Sequence, residues 1–289
     1  ASNTGVGRGA LQHLTTSSNN TAVGRNALNL ATTGSLNTAV GAFALDACTT
    51  GGENTAMGEG ALSECTTGTG NSAFGMQALV SATTASNNTG IGYKALQLNT
   101  TGIQNVALGS LALDANTTGG NNSAIGVHAL GANTTGDFNT AVGKDALRDN
   151  TTADNNTAVG HNALEVNTTG TNCVGVGAGA LAGNTTGQAN TAVGVNALDA
   201  NTTASNNTAV GHDALGGNTT GFDNVAVGRN SQLIMNIGVR NVTVGSLTLQ
   251  NAQDSGSGTP NDNTAIGHAA LSDVTMGYQN VAVGKDAGD

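Results

Sequence analysis

Tryptophan is missing from the 289-residue sequence, aromatic residues make up 2% and charged residues 9%, and a single proline is present. A globular core of ordinary build draws on large apolar side chains. Ordinary surfaces carry about 25% charged residues. These shortages exclude a pair of conventional packed domains. Eight Lys and Arg against 18 Asp and Glu leave a net charge of −10, which excludes a nucleic-acid-binding face built on clustered cations. No run approaches the ~20 apolar residues of a membrane span, so this segment is not expected to insert into a bilayer. No secretory leader is recognisable and Ala1 falls inside the pattern described below. The chain therefore reads as a processed product or an excerpt of a longer one.

What is present is order. The phrase Asn-Thr-Ala-Val-Gly-x-x-Ala-Leu, followed by about three variable residues, Thr-Thr-Gly and two more, recurs with a period of seventeen. Copies start at Asn3, Asn20, Asn37, Asn54, Asn71, Asn88, Asn105, Asn122, Asn139, Asn156, Cys173, Asn190, Asn207, Asn224 and Asn241. After one longer interval, in which Ser255–Pro260 adds a small loop, they resume at Asn263 and Asn280. The expected organisation is a regular array over 1–254, an inserted loop at 255–262 and final repeats over 263–289. With the starting Asn as position 1, position 5 is Gly in every copy, position 8 is nearly always Ala, position 9 is mostly Leu, and position 4 is Val, Ile, Leu, Met or Phe. Common helical repeats run to roughly 30 residues or more, and Gly and Asn-Thr-Thr-Gly segments break helices. Two short strands with their turns fit the period. The expected fold is all-β: a parallel β-solenoid of about seventeen coils, with strands at positions 1–4 and about 8–11.

The charges support this phase independently. All Lys and Arg (Arg8, Arg25, Lys94, Lys144, Arg148, Arg229, Arg240, Lys285) fall at positions 6, 7, 10 or 17. Outside Asp254–Asp262, acidic residues fall only at positions 6, 7, 10, 11, 16 or 17. Unpaired buried charge is costly, so these positions are solvated corners. Positions 4 and 9 are then expected to point inward. Alanines at positions 3 and 8 are expected to leave flat small-residue faces through which chains associate, most simply as a homotrimer.

The repeated phrase resembles the Ser-x-Ala-Ile-Gly-x-x-Ala phrase of trimeric autotransporter adhesin heads. The longer form, as in Asn155–Gly170, is similar to repeats of tail-fibre-like proteins. The resemblance covers almost the whole chain and implies a left-handed parallel β-roll in a trimer. Adhesin heads typically have a shorter repeat, so positions 12–17 form an extra arc here.

Chemistry-bearing residues are sparse. Cys48 and Cys65 share position 12 of neighbouring coils, close enough for a disulfide under oxidising conditions. Cys173 stands alone, and three cysteines without paired spacing make no zinc signature. The histidines (His13, His128, His161, His212, His268) occupy corners and never adjacent coils. No metal or cofactor site is expected. No nucleophile–base set is visible either, so catalysis is not expected. Asn99, Asn116, Asn133, Asn150, Asn167, Asn184, Asn201 and Asn218 each open an Asn-Thr-Thr sequon, as the Asn-x-Thr/Ser pattern does at Asn19, Asn87, Asn121, Asn155 and Asn206. Stacked asparagines also form amide ladders, the favoured reading, because a glycan on every coil would crowd its neighbours. The Thr pairs could form an ice-matching array, although adjacent residues of a strand face opposite ways.

The expected function is a structural or adhesive fibre segment, extracellular at a cell surface or on a virion, contacting host-surface glycan or protein through repeated weak sites. Phe43, Tyr93, Phe138, Phe222 and Tyr278 are the candidate contact points. The alternative is an architectural chain that polymerises end to end into a filament or sheath. An ice-binding protein or a tailspike enzyme ranks lower.

Overall fold

A computed structural model describes residues 2–251, 260–274 and 277–288. Two compact units, Ala1–Lys144 and Asp145–Asp289, are each an all-β parallel solenoid. The first holds nine short strands, from β1 (Thr4–Val6) to β9 (Thr140–Val142), and the second holds eight, from β10 (Thr157–Val159) to β17 (Val281–Val283). Among the described residues there is no α-helix.

Within each unit every strand pairs in parallel with the next, one repeat later, so identical positions stack: Thr21 on Thr38, Ala22 on Ala39, Val23 on Val40. The longer interval between Asn241 and Asn263 does not break this register. β15 (Val242–Val244) pairs with β16 (Thr264–Ile266) with Val242 opposite Thr264. Of the expected inserted loop, residues 255–259 lie outside the described residues. Pro260 offers its carbonyl to Asn241 Nδ2 at 2.9 Å.

Two expectations are corrected here. The strand expected at positions 8–11 is absent from the described coils. Positions 7 and 9 instead take left-handed backbone, as at Asn26 (φ 57°), Leu28 (φ 48°), Phe43 (φ 60°) and Leu45 (φ 51°), which a strand cannot accommodate. The arc keeps coil-to-coil bonding without strand geometry: Leu28 N–H donates to Ala44 O at 3.0 Å and Leu30 N–H to Asp46 O at 2.9 Å. Backbone groups are thereby satisfied at a conformation uncommon for leucine.

Position 4 also faces outward, not inward. A strand alternates its faces, and the interior side is taken by position 3: Ala22, Ala39 and Ala56 are fully buried, whereas Val23 is 38% and Met57 42% exposed. The coil is too thin for two large columns. Leu at position 9 fills it alone, with Leu28, Leu45, Leu62, Leu79, Leu96, Leu113 and Leu130 all fully buried in the first unit, each contributing about 2 kcal/mol by burial. The alanines of positions 3 and 8 line the remaining interior, as Ala22 and Ala27 do. They are not available as association faces, contrary to expectation.

Candidate functional site: the outward columns

Because positions 2 and 4 share a face of each strand, the strands present two parallel rows to the outside. Position 2 is Thr, Ser or Val, and position 4 is apolar in every copy. In the first unit the position 4 row runs Val6, Val23, Val40, Met57, Phe74, Ile91, Leu108, Ile125 and Val142, all exposed or half-buried. In the second unit, exposed members include Val159, Val193, Val210, Val244, Ile266 and Val283. No charge stands at either position in any copy. Contiguous apolar strips of this kind mark contact surfaces.

Two inner corners carry asparagine ladders, position 12 over the eight consecutive repeats from Asn99 to Asn218 and position 1 in almost every repeat. At position 12, Asn116 Nδ2 donates to Asn99 Oδ1 at 2.7 Å and to Gly119 O at 2.9 Å. Asn133 donates to Asn116 at 2.9 Å. In the second unit the chain runs Asn167 to Asn150, Asn184 to Asn167, Asn201 to Asn184 and Asn218 to Asn201. All eight amides are fully buried. Met235 takes the next place, and Asn218 Oδ1 is left without a partner. The second ladder, at position 1, is one that sequence reasoning missed. There Asn37 N–H donates to Asn20 Oδ1 at 2.8 Å and Asn37 Nδ2 to Gly51 O at 2.9 Å. Its signal lies in the repeat itself: position 1 holds only Asn, apart from Cys173. Cys173 receives the Asn156 oxygen on its N–H at 2.9 Å but has no amide oxygen to hand on.

Replacing Asn116 with Ala removes the donor to Asn99 and Gly119 and the acceptor of Asn133, so buried polar atoms lose partners on both sides. The expected cost is about 3 kcal/mol, measured as loss of amide-exchange protection around Gly119 and Asn133; unchanged protection would mean that the ladder contributes nothing.

The sequons separate by burial. The position 12 asparagines lie inside, whereas Asn19, Asn87, Asn121, Asn155 and Asn206 at position 17 are exposed. Of the Thr pairs, position 13 turns its hydroxyl along the stack, as Thr32 Oγ1 donates to Thr49 O at 3.0 Å and Thr100 Oγ1 to Thr117 O at 3.0 Å. Position 14 (Thr33, Thr50, Thr67) faces solvent. The pair therefore does not form a double outward row of hydroxyls.

A further departure from the repeat is buried in the second unit. Ser231, Thr243 and Thr248 replace alanines and Gln232 replaces a leucine, all fully buried. Ser231 Oγ lies 2.7 Å from both Thr243 Oγ1 and Thr248 Oγ1, and Gln232 Nε2 donates to Thr243 Oγ1 at 2.8 Å. The substitutions bond to one another as a buried cluster among the alanine and leucine columns, with Gln232 Oε1 left without a partner.

The corners hold the rest. Tyr93, Phe138, Phe222 and Tyr278 are exposed, whereas Phe43 is half-buried with the Arg25 guanidinium 4.5 Å from its ring centroid. Arg148 pairs with Asp149 at 2.8 Å and with Glu165 of the next coil. Arg240 pairs with Asp262 at 2.6 Å, and that contact holds the Asp262 carboxyl below the usual range. Burial raises the carboxyls of Asp46, Asp114 and Asp199, the last also through the charge of Asp213. His212 Nδ1 lies 2.8 Å from Asp213. The sequence-selected histidines and aromatics are not brought together into one site. Among the described residues no three His, Cys, Asp or Glu side chains are grouped to hold a metal ion, and no helix is long and apolar enough to cross a membrane. Comparison with protein-family models and with characterised proteins yields no match to the chain.

Proposed function

We propose that this chain is a structural, adhesive segment of an extracellular fibre, carried on a cell surface or a virion, in which copies associate through their strand faces as a homotrimer. The observation that supports it is the uncharged outward row of position 4, repeated at every coil of both units. Burying such a strip against the same strip of another copy removes apolar surface from water and needs no change of register, since every copy presents it at the same spacing. The trimer itself draws on the resemblance to adhesin heads. Corner positions differ from coil to coil and are left at the periphery, where repeated weak contacts add up by multivalency.

The test is the mass in solution. The full chain is expected at three times its 28.1 kDa. A Val159→Lys, Val193→Lys double variant, which places charge at two outward sites 37% and 38% exposed, is expected to fall to the single-chain mass with unchanged β-type circular dichroism. A parent chain that is monomeric at micromolar concentration would overturn the reading.

A further inference from the structure

Position 7 forms a column of side chains along the outside of the first unit: Gly9, Asn26, Phe43, Gly60, Gln77, Lys94, Leu111 and His128. Hydrogen bonds fix the stacking, with Phe43 N–H on Arg25 O at 2.8 Å, Gly60 N–H on Ala42 O at 3.0 Å and Gln77 N–H on Glu59 O at 2.9 Å. Glycine takes this place in three copies, as Gly9, Gly60 and Gly179, and the three differ in what fills the gap. At Gly9 a neighbouring amide closes it, since a Cβ there would meet Asn26 Oδ1 at 2.4 Å. At Gly179 a Cβ would meet Asn196 Oδ1 at 2.7 Å. At Gly60 the gap stays open, the nearest atom being Gln77 Cγ at 3.7 Å.

The result is a notch of about 300 Å³ lined by Phe43, Asp46, Glu59, Ser63, Gln77 and Val80 around Gly60. Arg25 belongs to the coil before Phe43 and covers the ring from there, whereas Gly60, on the coil after it, has no side chain to cover the ring. The walls are thus one aromatic ring, one valine side chain, two carboxylates, one hydroxyl and one amide.

From this we infer that the Gly60 notch is a binding subsite for a single pyranose ring bearing a free amino group. The inference rests on the adhesive reading and deepens it by naming a ligand class. The volume sits at the lower end of ligand pockets, roughly 300–1,000 Å³, which suits one ring. The apolar face of a pyranose packs on Phe43. Its hydroxyls donate to Asp46 and Glu59 and exchange hydrogen bonds with Ser63 and Gln77. Two carboxylates without a cation among the lining residues select an ammonium substituent and reject a uronic or sialic acid.

The experiment uses the full chain and D-glucosamine, titrated by ligand-observed NMR, with glucose, glucuronic acid and n-butylamine as comparison probes. Saturable glucosamine binding is expected, at least tenfold stronger than either glucuronic acid or butylamine, with glucose between. Gly60→Asn fills the notch with a residue already used at position 7 in Asn26, Asn162, Asn196 and Asn230, all at positive φ like Gly60 itself, so the coil is kept. Gly60→Asn and Phe43→Ala are each expected to weaken binding at least tenfold, and Phe138→Ala to leave it unchanged. Three results overturn the proposal: no saturation by glucosamine, equal binding to butylamine, or full binding by Gly60→Asn. Attachment to glycan-bearing cells, measured in parallel, separates the two levels. Attachment that persists without glucosamine binding discards the subsite alone, and loss of both in an assembled chain discards the adhesive reading.

Discussion

Gly92→Ala is expected to destabilise the first unit by about 4 kcal/mol, combining a backbone conformation closed to side chains with overpacking against a neighbouring main chain. Gly92 has φ +139°, and an added Cβ would stand 2.4 Å from the carbonyl oxygen of Gly109 and 2.6 Å from its carbonyl carbon. The coils cannot simply part to relieve this, because Gly109 N–H donates to Ile91 O at 2.8 Å in the same contact. The position 5 glycine therefore seats each coil on the next, and its invariance follows from both sides of the stack. Local amide exchange is the appropriate measurement, since coils of a solenoid open in neighbouring groups. Protection should collapse around Gly75, Gly92 and Gly109 and recover several coils away. Normal protection there would mean that the backbone tolerates the methyl group and that the glycine column has another cause. Gly60→Asn is the internal contrast: at φ +65° with open space beside it, a larger substitution should leave stability nearly unchanged.

This difference between two glycines marks how far the sequence could be read. The period, the parallel stacking of identical positions, the inward Leu and the corner placement of charge all follow from a repeat that places one residue type at one position. The direction of position 4 does not. Absence of charge at positions 1–5 is compatible with burial or with an outward face covered by a partner, and an apolar side chain alone does not choose between them. The parity of the strand does: Thr21 and Val23 stand two residues apart and must share a face, and Ala22 is what a thin interior admits. The missing second strand has a different origin. Leu at positive φ is disfavoured locally and occurs because coil-to-coil hydrogen bonds and the burial of a leucine column outweigh it, a tertiary effect invisible in one repeat. The Gly60 notch lies further still from sequence reading. Gly9, Gly60 and Gly179 share position 7, and only the neighbouring side-chain conformations show which of them leaves a space.

Cysteine chemistry carries the second large effect. Refolding in a glutathione–glutathione disulfide buffer is expected to join Cys48 to Cys65 and to stabilise the first unit by about 3 kcal/mol, the loop-closure value for a ring of about this length. Both thiols are fully buried at position 12 of adjacent coils, and in-register neighbours about 4.8 Å apart lie within the Cα separations of disulfides, roughly 4.4–6.8 Å. In the folded coils the Cys48 thiol donates to Gly51 O at 3.4 Å and the Cys65 thiol to Gly68 O at 3.6 Å. The nearness of Cys65, reinforced by burial, raises the Cys48 thiol above its ordinary value, and the nearness of Cys48 lowers Cys65 against the opposing effect of burial. Those shifts belong to the closed coils and do not set which cysteine attacks first. In the open chain one cysteine thiolate displaces a glutathione thiolate from glutathione disulfide, the other cysteine then attacks the protein sulfur of the mixed disulfide, and the second glutathione leaves. The protons of the two cysteines end on the two glutathiones. Since both sulfurs are enclosed once the coils close, the exchange belongs to folding and not to the finished solenoid. Cys48→Ala supplies the reference, because alanine already occupies position 12 at Ala31 and Ala82. After oxidative refolding and denaturation, one titratable thiol, Cys173, is expected per chain. Three titratable thiols, or equal stability of the parent and the Cys48→Ala variant, would show that the pair stays reduced and acts only as small filler between Ala31 and Ala82.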